Sequence, residues 1–277
     1  PNLRHKFAVA GPVRLEALET IDIQPASTSP YILINTGSGV INSIRGNPHE
    51  AVQILRRAVD VSEEEAWMRV KAGQAAFDLM VPLIRWLAPS HRVVVRPHPA
   101  ERADTWRQAV PEAEIIEGSA PLPWIKGARV VIHNNSTTGI EAAAMGVPAL
   151  NLDPYPEWGK RYLAPTLNHT VDNLADAQSA LESLLSGNGG PLAEKAKAEL
   201  NFPKYGARNT AQAIFDVLKD SPPISGQFPW AMMEREALDR AKFTVTAEEV
   251  AQIIDGLNVS CVTHQLDDSV FLFTPNA

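Results

Sequence analysis

The sequence predicts an α/β fold: a mainly parallel sheet with helices on both faces, followed by a small α+β extension at the C-terminal end. Short apolar runs alternate along the chain with segments of helical periodicity, which is typical of right-handed βαβ units. The run Val93–Val95 is apolar at every position, as expected for a strand that helices cover on both sides. With 45% hydrophobic and 21% charged residues, the composition is that of a globular protein.

Charge and cysteine content exclude several classes of protein. The net charge of −7 argues against broad affinity for nucleic acid or for an anionic membrane, so any phosphate must be recognised by a local pocket. The single cysteine, Cys261, excludes an internal disulfide and a cysteine-rich metal site. No signal peptide is visible, and no apolar run approaches the roughly 20 residues that cross a bilayer. We therefore expect a cytoplasmic protein.

Three segments are expected in the chain. Residues 1–30 form a leading segment that ends in a linker, because residues 22–30 are rich in proline, serine and threonine. Residues 31–220 carry the α/β pattern, and residues 221–277 form an extension to which we assign no role. The chain begins with Pro1 rather than methionine, as expected for part of a longer protein.

Two polar loops follow predicted strands. The strand Tyr31–Asn35 leads into Thr-Gly-Ser-Gly at 36–39, where Gly37 and Ser38 allow a backbone to approach a ligand, although the same pattern is common in plain turns. The strand 93–95 leads into Arg-Pro-His-Pro at 96–99. The two prolines lock the backbone and fix where Arg96 and His98 point. A ligand role for His98 and a structural role in the turn both remain open.

Helices are predicted between and after these strands. The first begins near residue 61, where Ser62 and Glu65 form a capping box, and Pro82 is expected to kink it before Pro89 ends it. Further helices are expected at 101–109, 174–185, 205–218 and 246–257, with a turn or short helix at 121–126. Short strands are expected at 115–116, 260–263 and 270–273. Residues 153–165, rich in proline and aromatic residues, are predicted to form a lid or a hinge.

The stretch Arg129–Leu152 is predicted to form a strand, a polar loop, a helix and a second strand. Ser136, Thr137 or Thr138 caps the start of the helix, and Gly146 with Pro148 ends it. Three hydroxyls at a helix N-terminus make a good anion site, because free N–H groups and the helix dipole face the same point. A well-capped helix in an ordinary α/β domain explains the same residues.

One fold brings these loops together. The segments at 36–39, 96–99 and 133–138 all follow predicted strands, and the carboxyl ends of parallel strands share one edge of a sheet. That edge is where such sheets bind ligands. His133 in the third loop is expected to line the pocket or to hydrogen-bond within the loop, and Asn135 is expected as a pocket residue. A hydrolase that uses His133 and Ser136 is disfavoured, because no G-x-S-x-G elbow or orienting acid is visible.

The residues VVVRPHPAE and WIKGARVVIHNNSTTGIEAAAMGVPAL resemble the nucleotide-binding half of GT-B glycosyltransferases, closest to the surface carbohydrate biosynthesis proteins and capsule-type Kdo transferases. The resemblance covers residues 5–220 and is strongest over 93–152. It implies a Rossmann-like C-terminal GT-B domain, with residues 1–30 the end of a mostly absent N-terminal domain. It also implies that the catalytic base lies in that domain, so no base is assigned.

The resemblance also implies roles for single residues. His98 matches the histidine of an HP motif, and Ser136 and Thr137 match a later Ser/Thr motif, which together hold the donor phosphate. Glu141 lies where a glutamate commonly binds the ribose hydroxyls, and a solvated residue on the helix surface is the alternative that remains open. The residues expected to contact the donor phosphate are Gly37, Ser38, Arg96, His98, Ser136, Thr137 and Thr138, with His98 also catalytic.

A glycosyltransferase with a nucleotide-sugar donor follows from this resemblance, with a CMP-linked sugar such as CMP-Kdo preferred. Its acceptor is a carbohydrate or glycolipid of a surface polysaccharide, so peripheral attachment to the inner face of the membrane is the most that is expected. No cofactor, metal or nucleic acid is expected. Two alternatives remain: a UDP-sugar epimerase of the same fold, for which no carboxylate pair is evident, and a nucleotide-binding module without catalysis.

Overall fold

The computed structural model describes residues 15, 18, 21–44, 46–59, 61–160, 162–199, 261–267 and 270–275. The chain divides into two compact units, Ile23–Leu200 and a second that combines Pro1–Asp22 with Asn201–Ala277. Within the described ranges, no helix is both long enough and apolar enough to cross a membrane.

A six-stranded sheet forms the centre of the unit Ile23–Leu200, and every neighbouring pair in it is parallel, as predicted. The strand order is β3-β2-β1-β4-β5-β6. The order reverses between β1 and β4, and the crevice outside the carboxyl ends of two such strands is where doubly wound sheets bind ligands. The strands are β1 Tyr31–Asn35, β2 Val93–Arg96, β3 Glu114–Ile115, β4 Ala128–His133, β5 Ala149–Leu152 and β6 His169–Val171.

Helices cover both faces of the sheet, which completes the predicted Rossmann-like α/β architecture. The segment Leu184–Asn188, in which Gly187 has a positive φ of 114°, connects α8 to α9 across a kink. The helices are α1 Pro48–Val59, α2 Glu63–Leu87, α3 Ala103–Ala109, α4 Pro121–Gly127, α5 Thr137–Ala144, α6 Pro156–Gly159, α7 Ala164–Leu167, α8 Leu174–Ser183 and α9 Gly189–Glu199.

The alternation of side chains along each strand divides the core into two layers. Ile32 and Ile34 of β1 join Leu83 of α2 and Leu181 of α8 on one face. Leu33 points to the other face, toward residues of α4 and α5. Because both faces are covered, β1 is buried at all five positions and its sequence is almost wholly apolar.

Local sequence signals account for the ends of several elements. The Ser62 side chain accepts a hydrogen bond from the Glu65 N–H at 3.1 Å and begins α2, as predicted. The helix runs through Pro82 to Leu87, so the expected kink does not interrupt it. Gly146 adopts the left-handed φ of 68° that the end of α5 requires.

Other elements differ from the prediction. The helices α1 and α9 and the strand β6 were not predicted, and the segment 153–165 contains the short helices α6 and α7. The third strand begins at Glu114, one residue earlier than expected. The C-terminal strand pair is confirmed as an antiparallel hairpin of β7 Cys261–Asp267 and β8 Val270–Pro275. The helices predicted at 205–218 and 246–257 lie outside the described residues.

Candidate functional site

A cleft of about 340 Å³ opens at the carboxyl ends of β1, β2 and β4, where the strand order reverses. The three polar loops that the sequence places at this edge all contribute to it, together with one face of α2 and residues after β5. From the loops it is lined by Thr36, Gly37, Gly39, Val40, His98, Ala100, Asn134, Asn135 and Ser136. From α2 and the segment after β5 it is lined by Arg69, Ala72, Gly73, Trp158 and Tyr162.

A buried carboxylate, Glu101, fastens two of these loops together. It accepts hydrogen bonds from the Thr36 hydroxyl at 2.8 Å, from the Ser38 N–H at 2.8 Å and from the Trp106 indole N–H at 2.7 Å. The Thr36 hydroxyl oxygen accepts in turn from the His98 N–H at 3.1 Å. The loops after β1 and β2 are therefore held in one arrangement.

The sequence prediction missed the role of Glu101. Burial raises the pKa of its carboxyl, and the hydrogen bonds from Trp106 and Thr36 act in the opposite direction. The signal in the sequence was an acidic residue two positions after the Arg-Pro-His-Pro segment. A buried acid is stable only with donors around it, and the loop after β1 supplies two of them.

The side chain of His98 is exposed in the cleft, and its tautomer is set by a local contact. Its Nδ1 accepts a hydrogen bond from the Ala100 N–H at 3.1 Å. A neutral imidazole that accepts at Nδ1 carries its proton on Nε2. His98 therefore carries a donor suited to an anionic oxygen without needing a positive charge.

Ser136 is the residue that caps α5, which decides among the three hydroxyls that the sequence offered. Its Oγ accepts from the Thr138 N–H at 3.3 Å and from the Thr138 hydroxyl at 2.9 Å. Ser136 lines the cleft, whereas Thr137 is exposed outside its lining and Thr138 is buried. The N-terminal end of α5 thus meets the cleft at Ser136.

A pair of asparagines sets the direction in which the chain enters α5. Asn135 has a left-handed φ of 46°, and its N–H donates to the Asn151 side chain at 2.7 Å. The Asn151 amide donates back to the Asn135 side chain at 3.0 Å, and Asn135 also donates to Asp153 at 3.0 Å. These contacts hold a conformation that asparagine tolerates better than most residues.

His133 lies beneath this turn rather than in the cleft. It is fully buried, and its Nδ1 accepts from the Ser136 N–H at 3.4 Å. Burial lowers the pKa of His133 to about 3, so the ring is neutral. In the structure His133 thus hydrogen-bonds within the loop and does not line the cleft.

Three further predicted phosphate or ribose ligands lie outside the cleft lining. The Arg96 guanidinium donates to the Ser119 carbonyl at 3.0 and 2.7 Å. The Ser38 N–H donates to Glu101. Glu141 is 4% exposed on α5, so it is not a solvated residue of the helix surface. Of the predicted site residues, the structure brings Gly37, His98, Asn135 and Ser136 together.

Three cleft residues were not predicted as ligands. Arg69 projects from α2, with its guanidinium carbon 6.0 Å from the centroid of the Trp158 ring. The Trp158 indole N–H donates to the Tyr162 hydroxyl at 2.9 Å. Both aromatic residues come from the segment predicted to be a lid or hinge. The sequence did not indicate a ligand role for Arg69, because a single basic residue on a long amphipathic helix is usually solvated.

No family model and no curated protein matches this chain. Among solved structures it is similar to the UDP-GlcNAc 2-epimerase of Methanocaldococcus jannaschii, in complex with UDP-GlcNAc and UDP, at 16% identity and a TM-score of 0.37 over 74% of this chain. It is also similar to TarM, at 11% identity and 0.40 over 73%, and to the glycosyltransferase SnogD of Streptomyces nogalater, at 14% and 0.40 over 76%.

These similarities are partial. The chain covers 57% of the epimerase, 38% of TarM and 56% of SnogD, so it spans about half the length of these neighbours or less. With every TM-score below 0.5, they do not bear on function. The Rossmann-like assignment rests on the parallel sheet and its strand order.

Proposed function

We propose that this protein is a glycosyltransferase and that the cleft binds the nucleotide-activated sugar donor. The observation that carries the proposal is the convergence of His98 and the Ser136-capped end of α5 in one crevice at the reversal of strand order. Among the described residues that line the crevice, none is an aspartate or a glutamate. An anionic group therefore meets donors there and no opposing carboxylate.

Each cleft group has a distinct part in binding the donor phosphate. The N–H groups at the start of α5 and the positive end of the helix dipole favour a phosphate oxygen. Ser136 and the Nε2–H of His98 add donors from two different loops. We assign the ribose hydroxyls to Glu141 on the resemblance of its position alone, since Glu141 is buried on α5 outside the cleft lining.

Charge builds on the leaving phosphate as the bond to the sugar breaks, so donors that are already in place stabilise the transition state. The contacts of Glu101 and of the asparagine pair fix the loops that carry these donors before any ligand binds. By analogy with other preorganised donors, removal of one is expected to cost on the order of 10²–10³ in turnover. We assign this role to His98.

The nature of the donor and acceptor is also proposed. A CMP-linked sugar such as CMP-Kdo is preferred, because the His-Pro pair at 98–99 and the Ser-Thr pair at 136–137 resemble the motifs of transferases that use such donors. The acceptor is then a carbohydrate or glycolipid of a capsule or lipopolysaccharide, and the reaction takes place at the cytoplasmic face of the membrane.

An epimerase is less well supported. Epimerisation of the sugar needs an acid and a base beside the ring. Among the described lining residues, the cleft has no carboxylate, and His98 is the one histidine. The cleft does contain donors that suit a leaving phosphate, and the transferase is preferred on that ground together with the resemblance of the motifs at 98–99 and 136–137.

Calorimetry with CMP, CDP, UDP and GDP tests the proposal. We expect micromolar binding of a cytidine nucleotide that is lost in His98→Ala and kept in His91→Ala, a control at the opposite end of β2. Tighter binding of UDP would instead favour a UDP-sugar enzyme. Absence of binding by all four nucleotides would contradict the assignment of this cleft to a donor.

A further inference from the structure

We propose that Arg69 binds a second anionic group of the donor, distinct from the phosphate held at His98 and Ser136. The inference rests on the proposed function, and it concerns the part of the cleft formed by α2 and the segment after β5. The group is an oxyanion on the sugar side of the first phosphate. Two sources share this chemistry: the second phosphate of a nucleoside diphosphate sugar, and the carboxylate of a CMP-linked acidic sugar.

The periodicity of α2 directs one face of the helix into the cleft. Arg69, Ala72 and Gly73 all line it, and positions i, i+3 and i+4 lie on the same side of a helix. The two small residues leave open space in the turn beyond Arg69. A side chain added at Gly73 would meet only Ile41, at 3.6 Å. The long side chain of Arg69 thus projects beside an unfilled part of the wall.

The aromatic residues orient the Arg69 guanidinium without neutralising it. The guanidinium carbon lies 6.0 Å from the Trp158 ring centroid, a distance at which cation–π attraction operates. Trp158 is itself fixed by its hydrogen bond to Tyr162. A ring contact of this kind leaves the N–H donors of the guanidinium available for a planar oxyanion.

The distribution of charged groups around Arg69 also favours an anionic ligand at this residue. Within 21–44, 46–59, 61–160 and 162–199, the Arg69 guanidinium has no carboxylate at ion-pair distance, whereas Arg56 pairs with Glu63 at 3.0 Å. Among the described lining residues Arg69 is also the one lysine or arginine. The protein as a whole has a net charge of −7, so an anion that enters this cleft is attracted by the local charge of Arg69 rather than by the protein's overall charge.

Two separated anion sites predict a particular ligand preference. A ligand with two anionic groups engages both the α5 end of the cleft and Arg69, whereas a nucleoside monophosphate engages only the first. A charge-assisted hydrogen bond typically accounts for a factor of about ten to a hundred in affinity. We expect the doubly anionic ligand to bind tighter by that factor, and the difference to depend on Arg69.

Calorimetry on the full chain tests this with CMP, CDP and a CMP-linked 2-keto sugar acid as probes. In Arg69→Gln we expect the advantage of CDP or of the sugar acid over CMP to fall to about one, with CMP affinity unchanged. Arg69→Lys, which keeps the charge, should retain part of it. Arg56→Gln, which breaks an exposed ion pair, is the matched control and should change neither affinity.

The probe whose advantage disappears identifies the source of the oxyanion. If the affinity advantage of CDP over CMP is lost in Arg69→Gln, the site binds a second phosphate. If the advantage of the sugar acid is lost, the site binds a carboxylate. An unchanged advantage in Arg69→Gln, with the thermal midpoint preserved, would overturn the role of Arg69 and leave the donor cleft intact. Failure of all probes to bind the unaltered protein would overturn both proposals.

Discussion

The hydroxyl of Thr36 donates to the carboxylate of Glu101 across 2.8 Å and joins the loop after β1 to the loop after β2. Glu101 is 5% exposed, and neither residue would be in reach of the other without the parallel pairing of the two strands. The contact lies directly behind His98, whose N–H donates to the same hydroxyl oxygen. The position of His98, which we propose contacts the donor phosphate, therefore depends on Glu101, a buried acid outside the cleft lining.

Glu101→Leu is expected to reduce both stability and nucleotide affinity. The substitution leaves Thr36, the Ser38 N–H and the Trp106 indole without their acceptor, and each buried donor left unpaired costs about 1–3 kcal/mol. We expect the free energy of unfolding to fall by about 3 kcal/mol or more in urea denaturation. Glu112→Leu, on the exposed surface, is the control. Equal losses in the two variants would argue that Glu101 does not fasten the loops.

His133 is expected to make stability depend on pH. Its pKa is lowered to about 3 in the folded protein, so the unfolded chain binds a proton at His133 first as the pH falls. The contribution of neutral His133 is complete above about pH 6.5 and is lost between pH 6.5 and about 3, at up to about 1.4 kcal/mol per pH unit.

Urea unfolding at several values of pH measures this dependence. His133→Gln should flatten the slope of unfolding free energy against pH over that window, whatever its effect on stability at neutral pH. His91→Gln removes a histidine at the opposite edge of the sheet and should preserve the slope. If the slope of His133→Gln matches that of the unaltered protein, another group causes the pH dependence.

Gly139→Ala is expected to be destabilising because α5 packs closely on His133. A Cβ at position 139 would clash with His133 Nε2 and would lie 2.7 Å from the Asn168 side-chain nitrogen, closer than real contacts allow. Overpacking of this kind costs about 1–3 kcal/mol. Gly73→Ala is the matched control, since its nearest neighbour is at 3.6 Å and alanine favours a helix.

A double variant separates this clash from other effects of Gly139→Ala. Removing the ring with His133→Ala should make the further change at Gly139 less costly than it is alone, as measured by the coupling free energy in denaturation. Coupling of about zero would mean that the imidazole relaxes without cost.

Much of the fold follows from local sequence. The strand Tyr31–Asn35 has the predicted bounds because its apolar run ends in a glycine loop, and Ser62 begins α2 because its cap needs only a neighbour three residues away. Two of the missed elements have weak local signals, whereas α1 was missed although its sequence is amphipathic and Asn47 caps it. The strand β6 is only His-Thr-Val, and α9 begins at Gly-Gly-Pro, a sequence typical of loops.

The site was predictable only in outline. The residue types at the ends of β1, β2 and β4 were sufficient to place three polar loops at one edge, because parallel strands all end on the same side. Which side chain enters the cleft was not determined in this way. Arg96, the last residue of β2, donates to the Ser119 carbonyl and does not line the cleft. His98, in the loop that follows, does line it.

The sequence by itself determined where strands, caps and polar loops occur, because these depend on periodicity and on contacts a few residues apart. Only the tertiary structure decided that Glu101 fastens two loops, that Arg69 meets Trp158 and that Ser136 rather than Thr137 faces the cleft. Such contacts join segments far apart in the chain, and no local pattern encodes them. They arise because the packed sheet brings polar groups of distant segments within hydrogen-bonding distance.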